Sequence, residues 1–184
     1  SVAIAGLGGL GSNIAMYLAR AGVGHLHLVD FDKVDITNLN RQQYDIADLG
    51  TLKTDALTKN IKRFNPFIEI TSQCVKVNED NAAEIFGGYK IVCEAFDKAE
   101  NKAMLVNSIL SECGDTKIVS GSGRAGFGSS NTIVTRKIND RFYLCGDTKS
   151  DMNDGLALAA PRVAICAAHE ANMILRLLIG EKEV

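Results

Sequence analysis

A glycine-rich turn near the N-terminus constrains the fold of this chain more than any other feature of its sequence. The turn, GLGGLGS at residues 6–12, follows an apolar run at residues 1–5 and opens a helix-like stretch at residues 10–21. In a strand–turn–helix unit of this kind, glycines let the backbone approach phosphate oxygens at the positive end of a helix. We therefore predict that Gly8, Gly9 and Gly11 bind a nucleotide.

Apolar runs and helical periods alternate along the rest of the chain. Further strands are predicted at residues 25–30, 69–77, 90–93 and 116–120, and further helices at residues 50–64, 79–86 and 98–113. Two strands at residues 131–136 and 141–144 are joined by Asn139 and Asp140, a hairpin signal, and a last helix is predicted from about Pro161 to Gly180. The pattern predicts a Rossmann-like α/β fold, with a mostly parallel sheet, helices on both faces and an antiparallel hairpin extension near the C-terminus.

Composition and charge narrow the class of protein. A chain of 184 residues, 46% hydrophobic and 23% charged, is long enough for a sizeable core, and we expect residues 1–184 to form a single domain. The formal net charge of -2 and the lack of a basic patch argue against nucleic acid and anionic membranes as partners. We find no secretory leader and no apolar run of bilayer length. The five scattered cysteines predict a reduced, cytoplasmic compartment.

Further polar residues follow the glycine turn at set intervals: Asp30, Asp32, Asn38, Arg41, Lys53 and Asp97. A dinucleotide enzyme needs only the turn and an acid at the end of the second strand. The additional amide, cations and carboxylate suit a bound triphosphate with its metal. These residues together therefore predict an ATP-binding enzyme that catalyses nucleotidyl transfer. An NAD-dependent oxidoreductase is the alternative.

Five of these residues are predicted to contact the nucleotide, namely Asp30, Asp32, Asn38, Arg41 and Lys53. Asp30 is expected to accept hydrogen bonds from the ribose hydroxyls, or else to cap a turn. Asp32 is a candidate second ribose or metal-shell carboxylate, or else an exposed turn acid. Asn38 and Arg41 lie three positions apart, so on one helical turn both would point toward the β- and γ-phosphates. Without a ligand, Arg41 would be an ordinary surface cation.

Two of the six residues, Lys53 and Asp97, lie at predicted helix starts. Lys53 begins a helix, where a cation is unfavourable against the helix dipole unless an anion lies nearby. Asp97 follows a predicted strand and is the best candidate ligand for Mg²⁺, with capping of the helix that begins near Lys98 as its structural alternative. We expect Arg41, Lys53 and Asp97 to be the catalytic residues.

The motifs GxGGLGS, VDFDKVDITNLNRQ, LGTLK and EAFDKAENK resemble those of the ThiF/MoeB/HesA family, which is related to the ubiquitin-activating enzymes. The resemblance runs from Val2 to about Gly180 and is strongest to short bacterial ThiF-like proteins. It implies ATP-dependent adenylation of the C-terminal carboxylate of a small ubiquitin-like sulfur carrier by a homodimer. A ThiS-type carrier in thiamine biosynthesis is the first expectation. A MoaD-type carrier, a peptide, a tRNA base, and a nucleotide-binding partner protein without activity are the alternatives.

The cysteines depart from the pattern of many family members. No pair of CxxC motifs is present, so we expect no structural zinc. The loop at residues 146–160 is expected to guide the carrier tail, but it lacks the cysteine that many members use there for a covalent adduct; Cys145 is the nearest. Free cysteines are usually small core residues, so the chemistry is expected to stop at the acyl-adenylate.

Overall fold

The structure, a computed structural model, describes residues 1–150 and 157–184. The described strands are β1 (Val2–Ala5), β2 (His25–Val29), β3 (Glu69–Gln73), β4 (Ile91–Glu94), β5 (Lys117–Gly121), β6 (Val134–Lys137) and β7 (Phe142–Gly146). The described helices are α1 (Gly9–Arg20), α2 (Lys53–Lys62), α3 (Glu79–Phe86), α4 (Ala99–Glu112) and α5 (Ala160–Leu178). The middle of the predicted guide loop, residues 151–156, lies outside the described residues.

The strands form one sheet in the order β3-β2-β1-β4-β5-β7-β6. Every neighbouring pair is parallel except β6 and β7, which form the predicted antiparallel hairpin. Because β7 also pairs in parallel with β5, the hairpin extends the sheet at its edge. The predicted Rossmann-like α/β architecture is therefore confirmed. Strand order reverses between β1 and β4, and ligands in such sheets bind beyond the strand C-termini at that point.

Helices cover both faces of the sheet. One face packs against α1, α2 and α5, and its core includes Leu10, Ile14, Leu18, Leu57 and Ile174. The opposite face packs against α3 and α4, with Phe86, Leu105 and Ile109 in its core. Strands β1 and β4 are buried along their whole length, which explains why both appear in the sequence as apolar runs, apart from Glu94 at the end of β4. Among the described residues, no helix combines the length and apolar character needed to cross a bilayer.

Element boundaries differ from the predictions where turns interrupt the pattern. The helix predicted from residue 50 begins at Lys53, because Gly50 adopts a positive φ of 78° and Leu52 has a non-helical ψ of 136°. Between β2 and α2 the chain makes two short 3₁₀ turns, Ile36–Asn38 and Ile46–Asp48, each closed by hydrogen bonds of an aspartate side chain.

Candidate active site

Two glycines of the turn are required by close packing. Gly6 has a φ of 90°, and a Cβ atom there would lie 2.9 Å from the carbonyl oxygen of Ala95. A Cβ atom on Gly11 would lie 1.8 Å from the carbonyl oxygen of Gly6, so Gly11 lets α1 pack onto the turn. Gly8 and Gly9 line a cavity, whereas Gly11 does not. Gly8 and Gly9 are therefore accessible to a ligand, whereas Gly11 has a packing role.

A cavity of ≈ 440 Å³ opens in the crevice at the C-terminal ends of β1, β2 and β4. Its walls include eight of the nine predicted site residues: Gly8, Gly9, Asp30, Asp32, Asn38, Arg41, Lys53 and Asp97. These residues are scattered over 90 positions of the sequence, between residues 8 and 97. The volume lies within the usual range of about 300–1,000 Å³ for small-molecule and cofactor sites.

Three helices begin at this cavity without a side-chain cap. Their N-cap residues are Gly8 in α1, Leu52 in α2 and Lys98 in α4, and none of them makes a side-chain capping bond. Helix α3, by contrast, is capped by Asn78. The first N–H groups of a helix have no partner within it and carry partial positive charge. The cavity is therefore suited to an anion such as a phosphate chain.

Asp30 fastens the glycine turn to the end of β2. Its Oδ2 accepts a hydrogen bond from the backbone N–H of Leu7 at 2.6 Å, and its Oδ1 accepts one from the N–H of Asp32 at 2.8 Å. Burial raises the pKa of Asp30, opposed by nearby Lys53 and by the two backbone hydrogen bonds. The carboxylate thus has the turn-closing role considered as its alternative. Asp30 also lines the cavity, where its remaining lone pairs can accept hydrogen bonds from the ribose hydroxyls.

Lys53 and Asp32 form an ion pair in the cavity wall. The Nζ atom of Lys53 lies 2.9 Å from Oδ2 of Asp32, and the two side chains are 7% and 49% exposed. The backbone N–H of Lys53 also donates to the carbonyl oxygen of Asp32 at 3.0 Å. Lys53 is the first residue of α2, and Asp32 provides an anion that offsets the unfavourable helix dipole.

Asn38 and Arg41 also line the cavity, although the short 3₁₀ turn ends at Asn38 and does not include Arg41. The Oδ1 atom of Asn38 accepts a hydrogen bond from the N–H of Asp35 at 3.0 Å, so this side chain closes its own 3₁₀ turn. One guanidinium nitrogen of Arg41, Nη1, donates to the carbonyl oxygen of Thr37 at 3.0 Å and to Oδ1 of Asn40 at 2.8 Å. These bonds hold Arg41 against the loop rather than leaving it as a solvated surface cation.

The Arg41 guanidinium is only partly satisfied by the protein. Its Nε atom is buried and has no hydrogen-bond partner among the described residues. Burial lowers the pKa of Arg41, the positive charge of Arg124 lowers it further, and Asp97 raises it. Arg41, Arg124 and Asp97 all line this cavity, so two guanidinium groups accompany one carboxylate in its wall.

Asp97 lies just beyond β4, with an exposed side chain in the cavity wall. Helix α4 begins at Ala99 with Lys98 in the N-cap position, so Asp97 does not cap it. In the part of the chain that the structure describes, no cluster of three or more His, Cys, Asp or Glu residues could hold a metal by itself. Mg²⁺ is usually held by one or two carboxylates together with substrate phosphates, and a lone Asp97 beside a phosphate site fits that arrangement.

Sequence reasoning missed three residues of this region. Gln42 is 8% exposed and lines the cavity, and its buried Oε1 has no hydrogen-bond partner among residues 1–150 and 157–184. The hydroxyl of Tyr44 donates to the carbonyl oxygen of Leu7 at 2.8 Å and so supports the glycine turn. Arg124 reaches the cavity from the turn after β5. Gln42 stands next to Arg41 in the motif NLNRQ, which could have drawn attention to it; Arg124 has no comparable signal.

The cysteines lie away from the cavity wall. Four of the five are buried, and only Cys74 is exposed. Cys145, in β7, is 0% exposed. Burial and the charge of Glu170 raise the pKa of the Cys145 thiol well above its usual value. A buried, protonated thiol is a poor nucleophile, which supports the interpretation of Cys145 as a core residue.

The sequence profile of the ThiF family matches residues 1–184, which is the whole chain. The chain belongs to the ThiF family.

Relatives of this ThiF-family chain include the adenylyltransferase and sulfurtransferase UBA4 of Eremothecium gossypii, which is 38% identical over 123 residues, 66% of this chain and 27% of UBA4. The adenylyltransferase and sulfurtransferase MOCS3 of Caenorhabditis briggsae is 38% identical over 110 residues, 59% of this chain and 27% of MOCS3. The matched segments thus span about a quarter of these curated relatives.

Among solved structures, the chain is similar to E. coli tRNA N6-threonylcarbamoyladenosine dehydratase, TcdA, in complex with ATP. The TM-score is 0.86 at 23% sequence identity, over 97% of this chain and 85% of TcdA. At this identity the similarity establishes the shared fold.

Proposed function

We propose that this ThiF-family chain is an ATP-dependent adenylyltransferase that activates the C-terminal carboxylate of a ubiquitin-like sulfur carrier. The observation that carries the proposal is the convergence of three uncapped helix N-termini with Arg41 and Lys53 around one cavity. The adenylyltransferases UBA4 and MOCS3, as relatives, support the same chemistry. An NAD-dependent oxidoreductase would leave this concentration of cations without a role.

The proposed placement of ATP follows from the charges of the cavity wall. The phosphate chain would lie over Gly8 and Gly9 at the N-terminus of α1, where backbone N–H groups can donate to it. Arg41 and Lys53 would bind the β- and γ-phosphates through charge-assisted hydrogen bonds. Asp30, at the end of β2, would accept hydrogen bonds from the ribose hydroxyls. From the same wall, Asn38 would contact the phosphates, and Asp32 would serve as a second carboxylate for the ribose or for the shell of the metal.

In the proposed reaction, one oxygen of the acceptor carboxylate forms a bond to the α-phosphorus of ATP. The bond from that phosphorus to the bridging oxygen breaks, and its electron pair leaves with pyrophosphate. The carboxylate is already ionised at neutral pH, so no general base is required. Arg41 and Lys53 stabilise the charge that develops on the leaving group by electrostatic preorganisation. Mg²⁺, held by Asp97 and the phosphates, would neutralise further negative charge.

We propose a ThiS-type carrier of thiamine biosynthesis as the acceptor, and a homodimer as the working form. The net charge of -2 supports a protein acceptor over tRNA, because nucleic-acid binding relies on positive charge. A cytoplasmic location also belongs to this proposal and is supported by five free cysteines.

The direct test is ATP–pyrophosphate exchange with a panel of purified acceptors. The panel would contain a ThiS-type carrier, a MoaD-type carrier, a C-terminal peptide and a tRNA. We expect exchange with a carrier that ends in a free glycine carboxylate, and none when that carboxyl group is amidated. Exchange with the tRNA alone would reassign the acceptor. Calorimetry that detected micromolar NAD binding and no ATP binding would overturn the proposal.

A further inference from the structure

Arg124 lies where the nucleotide cavity meets a second cavity. The second cavity, of ≈ 520 Å³, opens beyond the ends of β4 and β5 and includes residues 122–125 and 148–150 in its wall. The two cavities share five wall residues: Asp97, Lys98, Glu100, Arg124 and Leu158. Arg124 therefore stands at the passage between them, beside the proposed position of the phosphates.

The Arg124 side chain lacks a partner within the described protein. Its Nε atom is buried and has no hydrogen-bond partner among the described residues. A buried polar atom of this kind is costly unless a ligand or water satisfies it. Arg124 is also close enough to Arg41 for its charge to lower the pKa of that residue. Arg41 and Arg124 both line the nucleotide cavity, and each has a buried Nε atom without a partner among the described residues, which indicates that an anion binds beside them.

The turn that carries Arg124 is held in place by Arg162 of α5. The Nε atom of Arg162 donates to the carbonyl oxygen of Ala125 at 3.1 Å, and Nη1 donates to that of Gly128 at 2.8 Å. Its Nη2 lies 2.5 Å from Oδ2 of Asp147, in an ion pair whose side chains are 5% and 11% exposed. Because the residue after Arg124 is fixed in this way, the backbone of Arg124 is positioned before any ligand arrives.

The charge of the second cavity favours an anionic group at the passage. Its basic wall residues are Lys98, Lys102, Arg124 and Lys149, and its acidic ones are Asp97 and Glu100. Lys102 is engaged with Glu94 at 2.9 Å. The two cations that line both cavities are Lys98 and Arg124, and Arg124 is the one with a guanidinium group. An acceptor whose carboxylate attacks the α-phosphorus must bring that carboxylate next to the nucleotide cavity, which is where Arg124 lies.

We propose that Arg124 binds the terminal carboxylate of the acceptor at the junction of the two cavities and holds it beside the α-phosphate. This inference rests on the adenylyltransferase function proposed above. It separates the two partly satisfied arginines by role: Arg41 serves the nucleotide and Arg124 serves the acceptor. A guanidinium suits this task because it offers several N–H donors in the geometry of a carboxylate.

The test uses the whole chain with α,β-methylene ATP and Mg²⁺, which fill the nucleotide cavity without reacting. The probe is a fluorescein-labelled hexapeptide that ends in Gly-Gly with a free carboxylate, compared with the same peptide as its C-terminal amide. Binding is followed by fluorescence anisotropy for wild type, Arg124→Gln and Arg124→Lys. Arg63→Gln is the matched control, because the Arg63 side chain is 70% exposed on the surface. Affinity for ATP is measured separately for each protein.

We expect wild type and Arg63→Gln to prefer the carboxylate over the amide by about tenfold or more, the effect of one charge-assisted hydrogen bond. Arg124→Gln should lose the preference, Arg124→Lys should keep part of it, and ATP affinity should change less than about twofold in both.

The inference about Arg124 would be wrong, and the proposed function would stand, if Arg124→Gln kept the preference for the carboxylate. The same conclusion would follow if wild type bound ATP but showed no preference. Weaker ATP binding with the preference intact makes Arg124 a phosphate ligand instead. Wild type that binds no ATP overturns the proposed function itself. If Arg124→Gln fails to fold, Arg124→Lys and Arg124→Met decide the question.

Discussion

Lys53 and Asp32 are joined twice, by an ion pair of 2.9 Å between their side chains and by a 3.0 Å bond from the Lys53 N–H to the Asp32 carbonyl oxygen. The second bond would survive replacement of either side chain. The lysine is nearly buried, whereas the aspartate is half exposed. Asp32 therefore holds the Lys53 ammonium group at the cavity wall, and a bound phosphate could share that ammonium group with it.

Lys53→Ala should impair ATP binding much more than folding. We expect ATP affinity to fall about tenfold or more, because a charge-assisted phosphate contact contributes about 1.5–3 kcal/mol. Stability should change by about 1 kcal/mol, since the lost ion pair is partly exposed to solvent. Calorimetry with Mg·ATP and urea denaturation measure the two effects. Lys59→Ala is the control, because Lys59 lies on the same helix with a side chain that is 63% exposed. Equal ATP affinity in both variants would contradict the role of Lys53.

Arg41→Ala should reduce the rate of ATP–pyrophosphate exchange by an amount equivalent to about 1.5–3 kcal/mol. Its Nη1 bonds to Thr37 and Asn40 anchor the side chain to the loop, and its buried Nε has no partner among the described residues. Arg41→Lys should recover only part of the rate, because a lysine cannot satisfy the same forked geometry. Arg63→Ala should exchange at the wild-type rate. Wild-type exchange by Arg41→Ala would remove Arg41 from the catalytic residues.

The central strands of the sheet were predictable because they are buried on both faces. Residues 2–5 and 91–93 are buried, so each stretch appears in the sequence as a short apolar run. The boundary errors arose where a single backbone conformation decides the structure. Gly50, with its φ of 78°, delays the start of α2, and the 3₁₀ turn Ser130–Thr132 takes the place of the first residues of β6.

The site was predictable only as far as local motifs reach. Asp30, Arg41 and Lys53 belong to contiguous motifs, and the fold brings them to one cavity. Arg124 lies far along the chain and reaches that cavity because β5 pairs beside β4 and its following turn is held by Arg162. Such a residue is found from tertiary geometry, since neither its spacing nor its neighbours distinguish it from a surface arginine.

Asp97→Asn should raise the Mg²⁺ concentration needed for half-maximal exchange. The substitution removes the negative charge that would hold the metal, while its size is kept. Folding should be unaffected, because the side chain is exposed and Lys98 rather than Asp97 occupies the N-cap position of α4. Metal titrations at saturating ATP measure the shift, and Glu100→Gln is a comparison at the same cavity rim. An unchanged Mg²⁺ titration would exclude Asp97 as the metal ligand.

Cys145→Ser should leave acyl-adenylate formation unchanged. The thiol is 0% exposed, and burial keeps its pKa well above the usual value, so it is not available as a nucleophile. The buried hydroxyl should reduce the free energy of unfolding by about 1–3 kcal/mol if it lacks a full set of partners. Exchange assays and thermal denaturation separate the two effects. If Cys145→Ser abolished exchange while remaining folded, the non-covalent mechanism would be wrong.

Glu170 should make stability depend on pH. Its carboxyl group is 0% exposed on α5 and accepts weak hydrogen bonds from the thiols of Cys93 and Cys166, each at 3.7 Å. Burial raises its pKa from 4.5 to about 8, opposed by Lys102 and reinforced by Glu94. Between these pH values the folded state binds a proton that the unfolded state has lost. The contribution of Glu170 to the free energy of unfolding should therefore be largest below pH 4.5 and should fall as the pH rises to about 8.

Glu170→Gln isolates this contribution, because the amide is nearly isosteric and does not titrate. The difference in free energy of unfolding between variant and wild type should move in favour of the variant as the pH rises. The limiting slope is about 1.4 kcal/mol per pH unit, the value for a single proton. Urea denaturation of both proteins at half-unit steps from pH 5 to pH 9 gives the two curves. Glu181→Gln, with an Arg176 partner at 3.8 Å on the surface, is the control and should run parallel to wild type. If Glu170→Gln also ran parallel to wild type across this range, the carboxyl group of Glu170 would have no raised pKa in the folded protein.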